Sequence, residues 1–151
     1  MIAVGKKMPS WVQAAYQDYA KRLPKEFSLT LSEVEAATRG KNKAISQLLA
    51  QEERGILAAI PPHSKIVSLV IAGKAWDTQT LAKQLDSWRQ NYSQCCFIIG
   101  GPDGLSETCI RQSHEQWSLS PLTLPHPLVR VIVAEQLYRA YSLLVNHPYH
   151  K

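Results

Sequence analysis

Apolar residues recur every three to four positions in some segments of this chain and alternate with other residues in further segments. The first pattern predicts its helices and the second its strands. Residues 2–4 are typical of the end of a short strand. Ser10 and Gln13 fit a capping box. The helix that this box predicts has an apolar face formed by Trp11, Ala15, Tyr16, Tyr19 and Leu23. Beyond that helix, apolar side chains alternate as in a strand at Phe27, Leu29 and Leu31.

A second helix and a long apolar strand are predicted in the middle of the chain. The helix is indicated by the spacing of Ile45, Leu48, Leu49 and Ile56, with its apolar stripe interrupted at Glu52. Residues 65–73, KIVSLVIAG, are apolar and β-branched, which is typical of a strand buried on both faces. Asp77 is placed to cap the helix that follows, with Trp76 and Leu81 as a hydrophobic staple.

Residues 95–101, CCFIIGG, predict another buried strand, after which Ser106 caps a short helix that ends near His114. Strands that alternate with helices favour one α/β domain over residues 1–151 with a mainly parallel sheet. In such sheets ligands bind beyond the carboxyl ends of the strands. The segment IIGGPDGL, residues 98–105, lies at such an end, but it matches neither a P-loop nor the GxGxxG pattern. A plain turn and a ligand wall both remain open for it.

Prolines dominate the segment SLSPLTLPHPLVR, residues 118–130. Pro121, Pro125 and Pro127 forbid an ordinary helix and cannot donate to a sheet, so we expect an extended loop with free main-chain groups. Such a loop is able to bind a ligand through its backbone. Pro127 suits the first turn of a helix that runs to about Asn146.

That last helix is apolar around most of its circumference, which predicts burial on more than one side and favours a dimer interface. Arg130 stands in its first turns, where the helix dipole disfavours a cation. An outside phosphate or carboxylate and a structural ion pair both remain open as its partner. The tail NHPYHK, residues 146–151, is either a frayed surface end or a substrate contact, with Tyr149 stacking on a base.

Composition narrows the class of protein. Hydrophobic residues make up 45% and charged residues 19%, as in an ordinary globular chain. We expect no membrane span and no secretion signal, and therefore a cytoplasmic protein. The net charge of +5 favours an anionic partner only weakly, and a solvated surface would explain the basic clusters as well as phosphate contacts would. Those clusters are Lys6 with Lys7, and Arg39 with Lys41 and Lys43.

The three cysteines predict packed, reduced thiols rather than a metal or redox site. Cys95 and Cys96 are adjacent on a predicted strand, so their side chains point to opposite faces, and no CxxC pair exists with Cys109. His147 and His150 have no carboxylate or cysteine nearby in the sequence. No metal is expected.

Several long segments, in a fixed order over the whole chain, resemble one family. They are AVGKKMPSWV (3–12), RGKN (39–42), GKAWDT (73–78), IIGGPDGLS (98–106), SLSPLTLPHPLVRV (118–131) and NHPYH (146–150). The chain thereby resembles the ribosomal large-subunit pseudouridine N3-methyltransferases, which are small SPOUT-class RNA methyltransferases. The resemblance implies an α/β-knot fold with a C-terminal trefoil knot, S-adenosylmethionine as cofactor, and a homodimer with its site near the interface.

The resemblance also implies the product and the cofactor contacts, whereas the catalytic and RNA-contact candidates are chosen by the chemistry and charge of the residues themselves. The expected product is N3-methylpseudouridine in 23S rRNA, made on the assembled ribosome. Cofactor contacts are expected at Leu69, Gly100, Leu119, Ser120, Pro121, Leu122, Thr123 and Leu124. The catalytic candidates, with no proton acceptor assigned among them, are His126, Arg130, Tyr149 and His150. RNA contacts are expected at Lys6, Lys7, Arg39, Lys41 and Lys43.

Two other functions stay open from the sequence. One is methylation of another base or of a ribose by the same class of enzyme. The other is a ribosome-binding factor without catalytic activity. His126 has a similar alternative, since it would serve equally well to orient the loop between its two prolines.

Overall fold

In the part of the chain that the structure describes, five parallel strands form one sheet in the order β2-β1-β4-β3-β5. The computed structural model describes residues 1–40 and 43–150, the last of these by its backbone only. The strands are β1 Ile2–Val4, β2 Ser32–Val34, β3 Ser64–Ala75, β4 Gln94–Ile99 and β5 Glu115–Ser118. The helices are α1 Ser10–Ala20, α2 Ile45–Ala59, α3 Thr78–Asn91, α4 Glu107–Gln112 and α5 His126–Leu144, with 3-10 turns at Lys25–Phe27 and Pro148–His150. The predicted α/β class with a parallel sheet flanked by helices is confirmed. The threading of the knot stays a prediction.

Each face of the sheet carries its own hydrophobic core. Along β4, Phe97 belongs to the core under α1, α3 and α5, whereas Cys96 and Ile98 belong to the core under α2 and α4. Neighbouring residues of a strand point to opposite faces, so both cores draw on the same short apolar run. This arrangement confirms that β4 is buried on both sides. Cys96 and Cys109 are packed thiols of the second core.

The helix caps agree with the sequence at two sites and differ at a third. Asp77 Oδ1 accepts from Thr80 N–H at 2.7 Å, and Ser106 Oγ accepts from Cys109 N–H at 3.2 Å. The capping box predicted at Ser10 is wrong. Ser10 is already the first helical residue, with Pro9 before it and no side-chain cap.

Two parts of the sheet differ from what the sequence predicts, because strand pairing depends on segments that are distant in the sequence. The strand predicted around Phe27 and Leu31 is wrong: the main chain pairs with β1 only from Ser32, while Leu29 and Leu31 simply pack against the core. β5 was not predicted, because its sequence EQWS has no alternating pattern. It forms along β3, with a shift of register between Leu69 and Lys74.

Most of the apolar surface of α5 is buried within this one chain, although Leu128, Val131 and Ile132 are only partly buried and belong to neither core. The helix packs on α1, α3 and β4, and none of its residues from His126 to Leu144 is exposed. Packing within one chain therefore accounts for most, but not all, of the apolar residues of α5. The homodimer stays a prediction that rests on the resemblance.

Candidate functional site

A cavity of about 760 Å³ opens at the carboxyl ends of β3, β4 and β5. Its walls are the end of β3, the turn of residues 100–105, the proline-rich loop of residues 119–125 and the first turns of α5. This is the edge at which parallel α/β sheets bind their ligands. The volume lies within the range of small-molecule and cofactor sites.

The turn after β4 depends on two of its glycines. A Cβ on Gly100 would overlap the main chain of Gly104. Gly104 has a φ of +83°, which side chains rarely adopt, and its N–H donates to Gly101 O at 3.0 Å. The turn that these contacts close is also a wall of the cavity. The segment IIGGPDGL is therefore both a strand-to-helix turn and a wall of the cavity.

The proline-rich loop presents its main chain to the cavity. Its start is held by Ser118 Oγ, which donates to Ser120 O at 3.1 Å, and by Leu122 N–H, which donates to Ser120 Oγ at 3.0 Å. Further along, Thr123 and Leu124 line the cavity, and within the described residues their main chain makes no backbone hydrogen bond. Free amide and carbonyl groups at a concave surface are suitable partners for a polar ligand.

Most of the predicted cofactor contacts meet in this cavity. Seven of the eight line it: Leu69, Gly100, Leu119, Ser120, Leu122, Thr123 and Leu124. Pro121 lies in the same loop but does not line the cavity. The sequence missed Ile71, Asp103, Trp117 and Val129, which also form the walls. Trp117 belongs to β5. Because β5 was not predicted, nothing in the sequence indicated that Trp117 lies at the cavity.

His126 brings an imidazole to the cavity from the first turn of α5. Burial lowers the pKa of His126 below its usual value, and the nearby cations Arg130 and Arg39 lower it further. The ring is therefore held neutral near pH 7. Its Nδ1 is buried and has no hydrogen-bond partner among the described residues. A neutral imidazole at a cavity wall is able to accept a proton.

Arg130 is buried, and both terminal nitrogens of its guanidinium are paired inside the protein, whereas its Nε has no partner among the described residues. Its guanidinium is 2.7 Å from Glu33 Oε1, and Nη2 donates to Val4 O at 2.8 Å and to Gly5 O at 2.7 Å. The residue is 1% exposed and does not line the cavity. Of the two alternatives left by the sequence, the structure shows the structural ion pair.

The C-terminal tail folds back on α5, away from the cavity. Tyr149 Oη donates to Glu135 Oε1 at 3.2 Å, and the Arg139 guanidinium lies 4.9 Å from the centroid of the Tyr149 ring. Burial and hydrogen bonding raise the pKa of Tyr149 to about 12. Along α5, Glu135 is about 14 Å from His126, from nine residues at 1.5 Å each. Within one chain, Tyr149 and His126 are therefore not brought together; the side chain of His150 lies outside the described part.

Of the predicted RNA contacts, three lysines are exposed and Arg39 is paired within the protein. Lys6 is 3.6 Å from the exposed Glu35 carboxylate, and Lys7 and Lys43 are exposed. Arg39 is held by Asp103, with 2.6 Å between Nη2 and Oδ2. Lys41 lies outside the described residues.

Neither a metal site nor a membrane-spanning helix is found within residues 1–40 and 43–149. No group of three or more histidine, cysteine or acidic side chains there is arranged to hold a metal ion. No helix in that part combines the length and the apolarity that crossing a bilayer requires.

Comparison with known proteins identifies relatives of the whole chain. A family model described as "Predicted SPOUT methyltransferase" matches residues 1–150. Among solved structures, the chain is similar to a probable methylase family protein from Haemophilus influenzae Rd KW20, with a TM-score of 0.52 and 12% identity over 99% of this chain and 69% of that one. At this identity the likeness shows the fold alone.

A second solved structure is ribosomal RNA small subunit methyltransferase E from Neisseria gonorrhoeae bound to S-adenosyl methionine. It matches with a TM-score of 0.45 and 12% identity, over 95% of this chain and 65% of that one. This match is too distant to support an argument about the site.

Proposed function

This chain belongs to the SPOUT methyltransferase family, and from that premise we propose that it transfers a methyl group from S-adenosylmethionine to N3 of a pseudouridine in 23S rRNA on the assembled ribosome. The methyltransferase class follows from the family. The base, the position and the ribosomal target are the proposal. The observation that carries it is one cavity that joins seven expected cofactor contacts to a neutral histidine, His126.

The cavity suits S-adenosylmethionine by its chemistry as well as its size. Leu69, Leu119 and Leu124 supply apolar walls for an adenine ring. The main chain of Thr123 and Leu124 supplies donors and acceptors that have no partner in the backbone. Trp117 adds a buried Nε1 donor without a partner among the described residues. Asp103 supplies a carboxylate at the wall, although Arg39 already pairs with it.

When bound, S-adenosylmethionine supplies an electrophilic methyl group on a sulfonium. The protein's main task is to hold the attacking ring nitrogen in line with that group, and such orientation is worth roughly 7–11 kcal/mol. N3 of pseudouridine carries a proton, which has to leave before or during attack. His126 is the proposed acceptor, because its imidazole is neutral and lines the cavity.

Arg130 has a structural part in this proposal. Its ties to β1 and β2 set the position of the first turn of α5, and that turn carries His126. The exposed lysines Lys6, Lys7 and Lys43 are proposed to hold the rRNA backbone.

We propose in addition that the enzyme is a homodimer whose site lies near the interface. Within one chain the tail packs against Glu135 and Arg139, about 14 Å along α5 from His126. A tail that contacts the substrate, as expected for Tyr149 and His150, is therefore easiest to supply from a second copy. Light scattering of the purified protein should give a mass near twice 16.9 kDa. A mass of one chain at all concentrations would contradict the dimer.

The target is tested in a strain from which the gene has been deleted. Mass spectrometry of its 23S rRNA should show loss of N3-methylpseudouridine and restoration by the wild-type gene. Loss of a different methylated base or ribose would transfer the proposal to that nucleotide. Calorimetry with S-adenosylmethionine separates either enzyme from a ribosome-binding factor without activity, which would take up no cofactor.

A further inference from the structure

Three charged side chains from separate segments meet beside the cofactor cavity. Arg39 begins the basic loop, Asp103 belongs to the turn after β4, and Glu52 lies on α2. Arg39 Nη2 is 2.6 Å from Asp103 Oδ2, and Nε donates to the same oxygen at 3.2 Å. Nη2 also lies 3.8 Å from Glu52 Oε1. One guanidinium therefore joins the basic loop, the cavity turn and α2.

Glu52 is the fixed part of this cluster. The residue is 1% exposed, and its Oε1 accepts from the N–H of Ala37 at 3.0 Å. A Cβ on Gly101 would lie 3.1 Å from Oε2, so the main chain of the turn lies directly against the carboxylate. A buried carboxylate without a cation beside it lowers the stability of the fold, so the charge of Glu52 favours the observed position of the Arg39 guanidinium. The interruption of the apolar stripe of α2 at Glu52 thus has a structural explanation.

We propose that Arg39 is a positioning residue for cofactor binding, whose ion pair with Asp103 holds the turn of residues 100–104 against the cavity. This inference rests on the proposed function, because it takes the cavity as the S-adenosylmethionine site. It also gives Arg39 a different role from the RNA contact predicted by the sequence. Two of its N–H groups already point at Asp103 and Nη1 donates to Ala37 O at 3.5 Å, so an RNA phosphate would have to compete with these partners for the guanidinium.

Calorimetry with S-adenosylmethionine tests the pair directly. Because both side chains are partly exposed, their pairing is worth a modest amount, and Arg39→Gln or Asp103→Asn should each weaken cofactor affinity about fivefold. The double variant should also lose about fivefold, rather than the roughly 25-fold expected of independent residues. Arg39→Lys keeps the charge and should recover part of the affinity.

Lys43→Gln is the matched control on the same loop, since Lys43 is exposed. A residue that contacts phosphate should lower the slope of log affinity against log salt by about one when it is replaced. For ribosome binding we expect that reduction with Lys43→Gln, at unchanged cofactor affinity. Arg39→Gln should give the reverse: weaker cofactor binding and an unchanged salt slope.

The outcomes separate this inference from the function on which it rests. Equal affinity of the wild-type protein and Arg39→Gln for S-adenosylmethionine would overturn the positioning role alone. So would a reduced salt slope for Arg39→Gln with unchanged cofactor affinity. No cofactor uptake by the wild-type protein would overturn the proposed function itself, and this inference with it.

Discussion

Arg130 Nη1 lies 2.7 Å from Glu33 Oε1, across 97 positions of sequence, and joins the start of α5 to the edge strand β2. The same guanidinium donates to two main-chain carbonyls at the end of β1. A cation in the first turn of a helix is unfavourable by itself. Here the cost is offset, because the guanidinium pairs with the Glu33 carboxylate and with these two carbonyls.

Arg130→Met should therefore destabilise the protein. Removal of the guanidinium leaves two buried carbonyls and a carboxylate without their partner, at a cost of about 2–3 kcal/mol given that Glu33 stays partly hydrated. Thermal unfolding at fixed protein concentration should show a decrease of about 5–10 °C. Arg89→Gln, which breaks an exposed pair with Asp86 and a contact of the guanidinium with the Phe27 ring, is the control and should change the midpoint little. An Arg130 variant that keeps full stability but loses methyl transfer would instead make Arg130 a chemical participant.

His126 should impose its own pH dependence on stability. Because its pKa is lowered in the folded protein, the unfolded chain binds the proton first as the pH decreases through about 6.5. The free energy of unfolding should decrease from there down to the folded pKa, and then stay constant with respect to this group. The difference between wild-type and His126→Gln denaturation curves isolates the effect. A difference that does not vary between pH 4 and pH 8 would show that the pKa is not lowered.

The same histidine should govern the pH profile of methyl transfer. A neutral acceptor is already present at pH 7, so the rate should be flat above neutrality and decrease only in acid. His126→Gln should lower kcat at least a hundredfold with a small change in the KM for S-adenosylmethionine. A large increase in that KM with unchanged kcat would assign His126 to orientation of the loop.

Leu124 provides a test of the cavity itself. Leu124→Arg places a bulky cation in the wall of the cavity and should abolish measurable S-adenosylmethionine binding. Ile45→Arg is the control, because Ile45 is 59% exposed on α2 and does not line the cavity. Calorimetry with both variants, after thermal unfolding has shown that they fold, checks the expectation. Equal affinities would place the cofactor elsewhere.

The tail should affect transfer without affecting cofactor binding. Deletion of residues 147–151 removes Tyr149, whose side chain packs on Glu135 and Arg139, away from the cavity. Cofactor affinity should stay within about twofold, while methyl transfer to ribosomes should be lost. Mixing this variant with Leu124→Arg should restore part of the activity if one copy supplies the tail and the other the cofactor. Full activity of the deletion variant alone would remove the tail from the site.

The thiols should be protected by burial. Burial raises the pKa of Cys95 from 9.0 to about 11, which lowers its thiolate fraction at pH 8 about a hundredfold. Iodoacetamide should therefore modify Cys95 about a hundredfold more slowly in the native protein than in urea. Peptide mass spectrometry measures the labelling, and Cys109, whose pKa burial also raises, should behave in the same direction. Rapid modification of native Cys95 would contradict packing as its role.

The sequence by itself determined the elements whose signals are local. Period, caps and prolines depend on neighbouring residues, and they correctly predicted the strands β3 and β4, the caps at Asp77 and Ser106, and an α5 that begins beside Pro127. The burial of residues 65–73 on both faces was predicted wrongly for the second half of β3, where Ile71 and Ala72 are exposed. The turn after β4 and the proline-rich loop, which line the cavity, were marked as possible ligand-binding segments for the same reason. Close backbone turns and missing N–H groups are visible in the residues themselves.

Only the tertiary structure decided what depends on contacts between distant segments. β5 exists because β3 pairs with it, and Trp117 lines the cavity through that strand. The partner of Arg130 lies on β2 and that of Arg39 lies after β4. An ion pair has no periodicity along the chain, and its energy depends on burial and distance, so the sequence shows the charges without their pairing.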